Sequence, residues 1–597
     1  MPKFGAHIIF AETALARRPD LFPDTHMNAL RFGAVGPDTT LFMFDPATKD
    51  PSLRRGVETA LNVLETVQDV KDTFNEIKDE LTKPVDDLAD YLTGGLSKDI
   101  SYTVEAAIEA MTLAVKLGIS LGAGTINVKN PIFDQLQNLP ADFIKNPAHA
   151  AKVWVINTTD TFGFPFRLFG HPFTDDGAWK QPVPSGDYAE WWWMDLLHYR
   201  KTGEFARQLI QDAVTPVQRS YARGYMTHVG GDVTGHPFIN ALVGGPFRNH
   251  AYRHLVLETL ADTWLWSQQG RGDILDAGLQ RQIDLGDAEA RQIEDLVLAC
   301  MRKVYVAPMV PNLLRSGYPE AGEFLSAYRT LKQYLRLSTG GSVHRPTPPP
   351  ESFREVWEEI KNLLEAANPG PPPTWNGNVV DFLRALFNWF SKGLVLLVMI
   401  AALPYAVVVR LLTVAPRWVL YLINLGIFFL ISAIRTMLCL VGWGYAGKQD
   451  LESFGFLDDL IVTPHGEFGA YPAKTVPNPK PPFYWLVPPR WPVPYENNPT
   501  VAMVPQRGGF RPDWMVSGQN VIDSNLQQLL IDLATAPTPA DAIPIERQLQ
   551  NSNGFGNAVD FSIALLEGKY KFDFDLDGDR GFGYRGWEVL PPNERYV

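Results

Sequence analysis

Two histidine–carboxylate pairs in the segment Tyr221–Asp262 restrict how this chain can fold. Asp232 follows His228 by four positions, and Glu258 follows His254 by the same interval. In an α-helix, side chains four residues apart lie on one face, one turn from each other. The spacing therefore predicts two helices, each directing an imidazole nitrogen and a carboxylate oxygen toward one ion.

A third imidazole, His236, lies between these pairs. It is flanked by Gly235 and Pro237, so we expect it to leave the helix and point back from the turn. Four of the chain's 11 histidines fall in this segment. Histidine nitrogens with carboxylate oxygens and no thiolate suit zinc, typically with an open position for water. The alternative is that each histidine is a hydrogen-bonded or surface residue, which would suit a single histidine better than this cluster.

Charge and cysteine content exclude some partners and some kinds of site. The net charge is −13 and no Lys/Arg-rich run is present, which argues against nucleic acid as a main partner. Cys300 and Cys439 are too few for a disulfide framework and are not spaced as a metal motif. The first residues, MPKFGAHIIFAETALARR, lack a basic start followed by an apolar run, so no standard signal peptide is visible.

The chain is long enough for several domains. Its 597 residues suggest two to four domains of ~150 residues each. Residues 1–51 begin a core domain that resumes at 150–343. Residues 52–149 are predicted to be a helical insertion, with one amphipathic helix that ends near Pro84 and a second from about Ser101 to Leu117.

Six short segments follow one another in a recognisable order. They are His7 in an apolar stretch, Gly-Pro-Asp ending at Asp38, Leu-Leu-His at His198, Thr-His-Val-Gly-Gly-Asp at His228 and Asp232, Gly-His-Pro-Phe at His236, and Arg-His-Leu-Val-Leu-Glu at His254 and Glu258. In this order the chain resembles the zinc-dependent phospholipase C family, the bacterial enzymes that cleave phosphatidylcholine. The resemblance covers roughly residues 1–51 and 190–270.

The resemblance implies an all-helical catalytic domain that holds two or three zinc ions. It implies that Asp232 bridges two of them. One of these two is also held by His7, and the other by His198 and His228. Asp38 is implied as a ligand or as the general base beside this pair.

The third ion of the family is implied to be held by His236, His254 and Glu258. The chain departs from the family in three places. It begins Met-Pro-Lys, whereas secreted members begin, after signal cleavage, with a tryptophan whose amine and carbonyl bind zinc. The spacing from Asp232 to His236 is shorter, and residues 52–149 stand where the secreted enzymes have a short link.

These residue types suit hydrolysis of a phosphodiester. Zinc lowers the pKa of bound water from ~15.7 toward ~7 and neutralises charge on phosphoryl oxygens, and Asp38 is implied to orient or deprotonate the attacking water. We therefore expect a zinc-dependent phospholipase C that converts phosphatidylcholine-type glycerophospholipids to diacylglycerol and a phosphorylated head group. The alternatives are a zinc single-strand nuclease of related fold, and a non-catalytic membrane-binding or assembly protein with a degenerate site. Both the bacterial cytoplasm and export without a standard signal peptide stay open as locations.

A Pro-rich linker at 344–378 precedes an apolar region at 379–446. This region holds two charge-free runs, Gly393–Val409 and Trp418–Ile434, each near the lower limit for crossing a bilayer core of ~30 Å. Their short connection contains arginines and predicts a helical hairpin. We favour contact with a membrane surface over burial against the core or a subunit interface, and we expect a homo-oligomer that covers the hairpin away from lipid.

Residues 447–597 are rich in proline and aromatic residues, which predicts loops and short strands around the helical domains. Near the end of this region, alternate carboxylates surround Gly578, as in the first half of a calcium loop. These candidate ligands are Asp573, Asp575, Asp577 and Asp579. A solvated acidic turn is the alternative. The fold class predicted for the whole chain is mainly α.

Overall fold

The computed structural model describes residues 3–43, 51–81, 91–123, 193–199, 201–243, 247–306, 318–349, 379–403, 405–440, 442–453, 514–517 and 557–571, with isolated residues that include Asp573, Phe574 and Leu576. This part of the chain is mainly helical and has no extended β-strand. The prediction of a mainly α protein is thereby confirmed.

The chain divides into two compact units. The first unit comprises Met1–Val57, His171–Gly340 and Phe456–Val597, and the second comprises Glu58–Gly170 and Gly341–Gly455. The first unit thus joins the two parts of the predicted core domain and also takes in the C-terminal region. The second unit combines the predicted insertion with the apolar region, which the sequence analysis treats as separate domains.

The helices before residue 215 are α1 (Phe4–Arg17), α2 (Met27–Ala34), α3 (Gly36–Thr39), α4 (Pro51–Leu81), α5 (Leu96–Ala123), α6 (Trp193–Tyr199) and α7 (Thr202–Asp212). Those that follow are α8 (Pro216–Val243), α9 (Phe247–Gln268), α10 (Leu279–Gln282), α11 (Asp287–Val304), α12 (Glu323–Ser338), α13 (Val379–Ala401), α14 (Tyr405–Val414), α15 (Pro416–Leu440), α16 (Lys448–Ser453), α17 (Trp514–Ser517) and α18 (Ala558–Leu566). Short 3₁₀ turns lie at Pro19–Leu21, Thr40–Phe42 and Ile274–Asp276, and a π-helical turn at Tyr91–Gly95.

Helix α8 is the centre of the first unit, packed by α1, α2, α7, α9 and α18. It crosses α2 where Gly33 meets Gly224. A Cβ on Gly33 would lie 2.0 Å from the carbonyl oxygen of Tyr221, and one on Gly224 would lie 2.0 Å from that of Leu30. Only glycine fits such a backbone approach, so these two residues allow α2 to lie directly against α8 and lead the chain into the turn that contains Asp38.

Helices α11 and α12 close one side of this unit. Acidic residues lie in the first turn of α11 and basic residues in its last turn, as the helix dipole favours. The buried Glu294 accepts hydrogen bonds from the backbone N–H groups of Gly322 at 2.9 Å and Leu325 at 3.0 Å. Because these N–H groups lie at the start of α12, Glu294 caps that helix and fixes it to α11.

The second unit packs α5 against α13 and α15. Helix α15 is long and apolar enough to cross a membrane; within it, Pro416–Cys439 has a mean hydropathy of 2.0, and 94% of its most apolar window is buried by the chain itself. Gly393 and Gly426 allow α13 and α15 to approach closely, since a Cβ on Gly393 would lie 3.1 Å from the Gly426 carbonyl oxygen. The first charge-free run is not one helix: α13 ends at Ala401 before Pro404, because proline disfavours helix in the residue before it.

Candidate metal centre

Helix α8 presents His228, Asp232 and His236 at successive fourth positions, and all three are fully buried. The prediction that His236 leaves the helix is wrong, because α8 continues to Val243. A proline inside a helix costs ~3 kcal/mol, so the packing of α8 along its length outweighs the local preference of Gly235 and Pro237. His236 therefore shares the face of the helix that carries His228 and Asp232.

The first group of potential ligands consists of His7, His228 and Asp232. His7 Nε2 lies 3.2 Å from Asp232 Oδ1, and His228 Nε2 lies 2.8 Å from Asp232 Oδ2. The two imidazole rings stack with centroids 4.0 Å apart. His7 comes from α1, so the group joins two helices that are far apart in sequence.

The second group consists of Asp38, His198 and His228. Asp38 Oδ1 lies 3.4 Å from His198 Nε2, and the rings of His198 and His228 are 5.9 Å apart. His228 thus belongs to both groups. The resemblance implies that Asp232 is the shared residue, whereas the geometry groups Asp232 only with His7 and His228.

The third group consists of His236, His254 and Glu258. His254 Nε2 lies 2.8 Å from Glu258 Oε1 within α9, as their spacing predicts. The rings of His236 and His254 are 4.9 Å apart, and His236 Nε2 lies 3.9 Å from Asp232 Oδ1. The third group is therefore continuous with the first through Asp232.

The polar atoms of the first two groups are better matched to a bound cation than to hydrogen bonds with one another. Both nitrogens of His7, Asp38 Oδ1, His228 Nε2 and both oxygens of Asp232 are buried without a hydrogen-bond partner among the described residues. The ion-pair partners of Asp38 and Asp232 in this part of the chain are histidines. Since buried carboxylates and orphaned polar atoms are costly, this donor set fits divalent cations.

Backbone carbonyls fix the tautomers of two ligand histidines. His228 Nδ1 donates to the Ala34 carbonyl at 2.8 Å, and His198 Nδ1 donates to the Met194 carbonyl at 2.7 Å. A carbonyl only accepts, so Nδ1 carries a proton, and in the neutral ring Nε2 is the nitrogen whose lone pair can bind a metal ion. The crossing of α2 over α8 thus orients His228 directly.

Asp262 holds the helix that carries His7. Its two carboxylate oxygens accept hydrogen bonds from the backbone N–H groups of Gly5 at 2.8 Å and Ala6 at 3.0 Å. Asp262 is buried on α9, one turn beyond Glu258. It therefore fixes the first turn of α1 against the helix that contributes to the third group.

The pKa values follow from burial and mutual attraction. Burial lowers the pKa of His7, which favours the neutral, ligating imidazole. Burial opposes ionisation of both His228 and Asp232, but their attraction outweighs it, raising the pKa of His228 and lowering that of Asp232. Burial raises the pKa of Glu258 to about 7. The carboxyl group of the third group is therefore only partly ionised at neutral pH, and a bound cation would favour its ionised form.

All eight residues predicted as metal ligands lie in these three groups, within 4.8 Å of one another in each group. Residues 1–2, where the family places an additional ligand, lie outside the described residues. Asp573 lies apart from the groups: it is buried and accepts a hydrogen bond from the Glu204 N–H at 2.7 Å. Asp575, Asp577 and Asp579 lie outside the described residues, so the calcium loop stays a prediction.

Sequence reasoning gave no role to Asp262 or to the C-terminal contacts. Asp262 continues the four-residue spacing from His254 through Glu258, a signal that was available in the sequence. No pattern marks the contacts made by Asp573, Phe574 and Leu576, because they depend on tertiary structure. Comparison of the chain with known proteins found no matching family model, curated protein or solved structure.

Proposed function

We propose that the chain is a zinc-dependent phosphodiesterase of the phospholipase C type, acting on phosphatidylcholine-type lipids. The observation that carries the proposal is the set of three buried ligand groups, of which two share His228 and the third adjoins Asp232. Adjacent divalent ions that share ligands are typical of enzymes that hydrolyse phosphate esters. The order of the six ligand segments along the chain supports the phospholipase C type among them.

The residues fall into distinct roles. The first group would hold one ion through His7 and Asp232, with His228 beside both; the second would hold another through His198, with Asp38 beside it. Bound zinc supplies Lewis acidity and lowers the pKa of water toward ~7. Asp38 Oδ1 is buried, and among the described residues it has no hydrogen-bond partner, so it is available to accept a proton from, or to orient, an attacking water.

The third group would stabilise the leaving side of the phosphodiester. Its residues come from α8 and α9, so it lies next to the first two groups without sharing a histidine with them. Three ligand carboxylates and five imidazoles in a buried cluster favour an anionic substrate only when cations are bound, because the carboxylates alone would repel it. Metal ions are therefore required for substrate binding as well as for chemistry.

The test begins with zinc content and lipid hydrolysis. Purified protein should contain two or three zinc ions per chain, and release of phosphorylated head group from phosphatidylcholine vesicles should stop on chelation and return with zinc. Asp232→Asn should reduce the rate by orders of magnitude with the fold intact. Asp287→Asn, at the exposed start of α11, is the matched control and should behave as the wild type.

Other outcomes separate the alternatives. Zinc-dependent cleavage of single-stranded DNA with no attack on lipid would favour the nuclease. Absence of bound zinc, or zinc-loaded protein inactive on both substrates, would reject the enzyme and favour a binding or assembly protein. Near-normal hydrolysis by Asp232→Asn would remove that residue from its central role.

We also propose that the second unit contacts a membrane surface through the turn of the apolar region. Helix α15 is largely covered by the chain, but Val414 is 42% exposed and Arg410 and Arg417 nearby are exposed. Arginines beside an apolar side chain suit an interface that contains anionic lipid. Val414→Glu should weaken co-sedimentation with anionic vesicles, whereas Val306→Glu, at a valine of the first unit with 40% exposure, should not. Equal sedimentation of both variants would reject the contact.

A further inference from the structure

His198 lies in helix α6, of which the structure describes Trp193–Tyr199. The chain leaves α6 through Lys201, whose φ of 50° and ψ of 31° are left-handed. A residue with a β-carbon is strained in this conformation and keeps it only when its surroundings impose it. Something outside α6 must therefore hold this turn.

Three residues from the C-terminal region contact the turn. The Leu576 N–H donates to the carbonyl oxygen of His198 itself at 2.8 Å. Thr202 Oγ1 donates to the Phe574 carbonyl at 2.7 Å and accepts from the Phe574 N–H at 2.9 Å. Asp573 completes the set through Glu204. We call Asp573, Phe574 and Leu576 the C-terminal brace.

The Asp573 contact caps the helix that follows the turn. Asp573 Oδ1 accepts from the Glu204 N–H in the first turn of α7, a position where the helix dipole favours a carboxylate. Thr202 and Asp573 are both almost fully buried. The brace therefore holds the residues on both sides of Lys201: His198 before it, and Thr202 and Glu204 after it.

The brace is itself fixed to the helices that carry other ligands. It follows α18, which packs against α8 and α1. Ser562 of α18 lies so close to Gly230 that a Cβ there would be 2.8 Å from the Ser562 Cα. Arg17 of α1 forms an ion pair with Asp560 at 3.1 Å. The brace thus links His198, through α18, to the helices that carry His7 and Asp232.

We infer that the C-terminal brace is a positioning element that holds His198 against Asp38 and thereby sets the metal affinity of the second group. The inference rests on the proposed metal-dependent function. The brace touches no substrate, and it acts through the backbone of His198 and the turn at Lys201. Supporting residues of this kind typically change metal affinity by about 10- to 100-fold.

Thr202 offers a matched pair of variants. Thr202→Val keeps the shape of the side chain but removes the hydroxyl that serves both backbone groups of Phe574. Thr202→Ser keeps the hydroxyl. In a chelator titration followed by zinc analysis, Thr202→Val should hold one ion about 10- to 100-fold more weakly, while Thr202→Ser holds all ions as the wild type does. Circular dichroism before and after the titration establishes that both variants are folded.

A double-mutant comparison identifies the ion that is lost. Asp38→Asn weakens the second group directly, so adding Thr202→Val to it should release no further ion. His254→Gln weakens the third group, so adding Thr202→Val to that variant should release an additional ion. Leu576→Pro, which removes the N–H donated to His198, should reproduce Thr202→Val. Leu576→Ala keeps that N–H and controls for the lost side chain.

The possible results separate the inference from the proposed function. A folded Thr202→Val protein with wild-type affinity for every ion overturns the inference, as does equal weakening of all groups. If Thr202→Val fails to fold, the comparison of Leu576→Pro with Leu576→Ala decides instead. A wild-type protein that binds no zinc rejects the proposed function and the inference together, whereas zinc-loaded wild type with insensitive variants rejects the inference alone.

Discussion

Gly231 lies where α8 passes α1, and its replacement by alanine should disturb the first ligand group. A Cβ at this position would lie 2.8 Å from Phe10 Cδ2 and 3.0 Å from His7 Nδ1. Both contacts are shorter than those that carbon atoms normally make, and both neighbours are fully buried. The added methyl group therefore has to push α1, and the His7 ring with it, away from Asp232.

The size of the effect follows from two opposed contributions. Alanine in place of glycine favours a helix interior by about 1 kcal/mol, while overpacking a core costs about 1–3 kcal/mol. Gly231→Ala should therefore lower the free energy of unfolding by up to about 2 kcal/mol. The shift in Tm is about 2–4 °C per kcal/mol for 150–250 residues and falls with size, so in this larger unit Tm should fall by less than about 8 °C.

Neighbouring Gly230 separates loss of stability from loss of metal binding. Its Cβ would meet Ser562 of α18, with backbone atoms at 2.8 and 2.9 Å, and no ligand side chain is among its nearest neighbours. Gly230→Ala should lower Tm at least as much as Gly231→Ala, yet weaken zinc binding less. Gly94→Ala, where a Cβ meets nothing within 4 Å, should not lower Tm and should leave zinc binding unchanged.

The assay is thermal unfolding with and without chelator, combined with zinc titration of the three variants. Gly231→Ala should have the weakest zinc binding, and Gly230→Ala should have the larger loss of stability in chelator. A Gly231→Ala protein that is more stable than the wild type and binds zinc normally would show that helix propensity outweighs the contact with His7, contrary to this argument.

Three further predictions concern stability. Asp262→Ala removes the acceptor of two N–H groups of α1 and should cost about 1–2 kcal/mol, measured by urea unfolding; an unchanged midpoint would contradict the capping role. With free zinc at 1,000 times its Kd, binding should add about 4.1 kcal/mol to the free energy of unfolding, so Tm should be lower in chelator. Burial raises the pKa of Asp573 to about 7, so the folded state binds the proton of this carboxyl more tightly than the unfolded state. The resulting contribution to the free energy of unfolding is complete below about pH 4 and is lost as pH rises through 7. Asp573→Asn should flatten that part of the stability–pH curve.

Local spacing predicted the candidate ligands that share one helix, but not the partners that come from elsewhere in the chain. The intervals from His228 to Asp232 and from His254 to Glu258 follow directly from helical geometry. His7 and Asp38 carry no such local signal, and only the resemblance connected them to the cluster. His236 shows the limit of local rules, since Gly235 and Pro237 indicate a helix end that the packed core does not allow.

The apolar region shows a second limit. Charge-free runs predict buried helices, yet they do not say whether lipid, another subunit or the same chain covers them. In the second unit, α5, α13 and α14 pack on α15, and α5 comes from the segment interpreted as a separate insertion. The C-terminal brace was unpredictable for a related reason, because its bonds use backbone groups that every residue possesses.

The contacts of α18 and the brace also determine when the first unit can be completed during synthesis. Phe574 is 372 positions from Thr202, and Asp560 is 543 positions from Arg17. At ~5–20 residues per second, His7 leaves the ribosome on the order of a minute before the residues that brace His198. All eight candidate ligands lie within the first 258 of 597 residues, so for more than half of its synthesis the nascent chain carries them without the brace. A prematurely terminated chain lacks the parts that lock these ligands together. Assembly of the candidate centre is in this way coupled to synthesis of α18 and the brace.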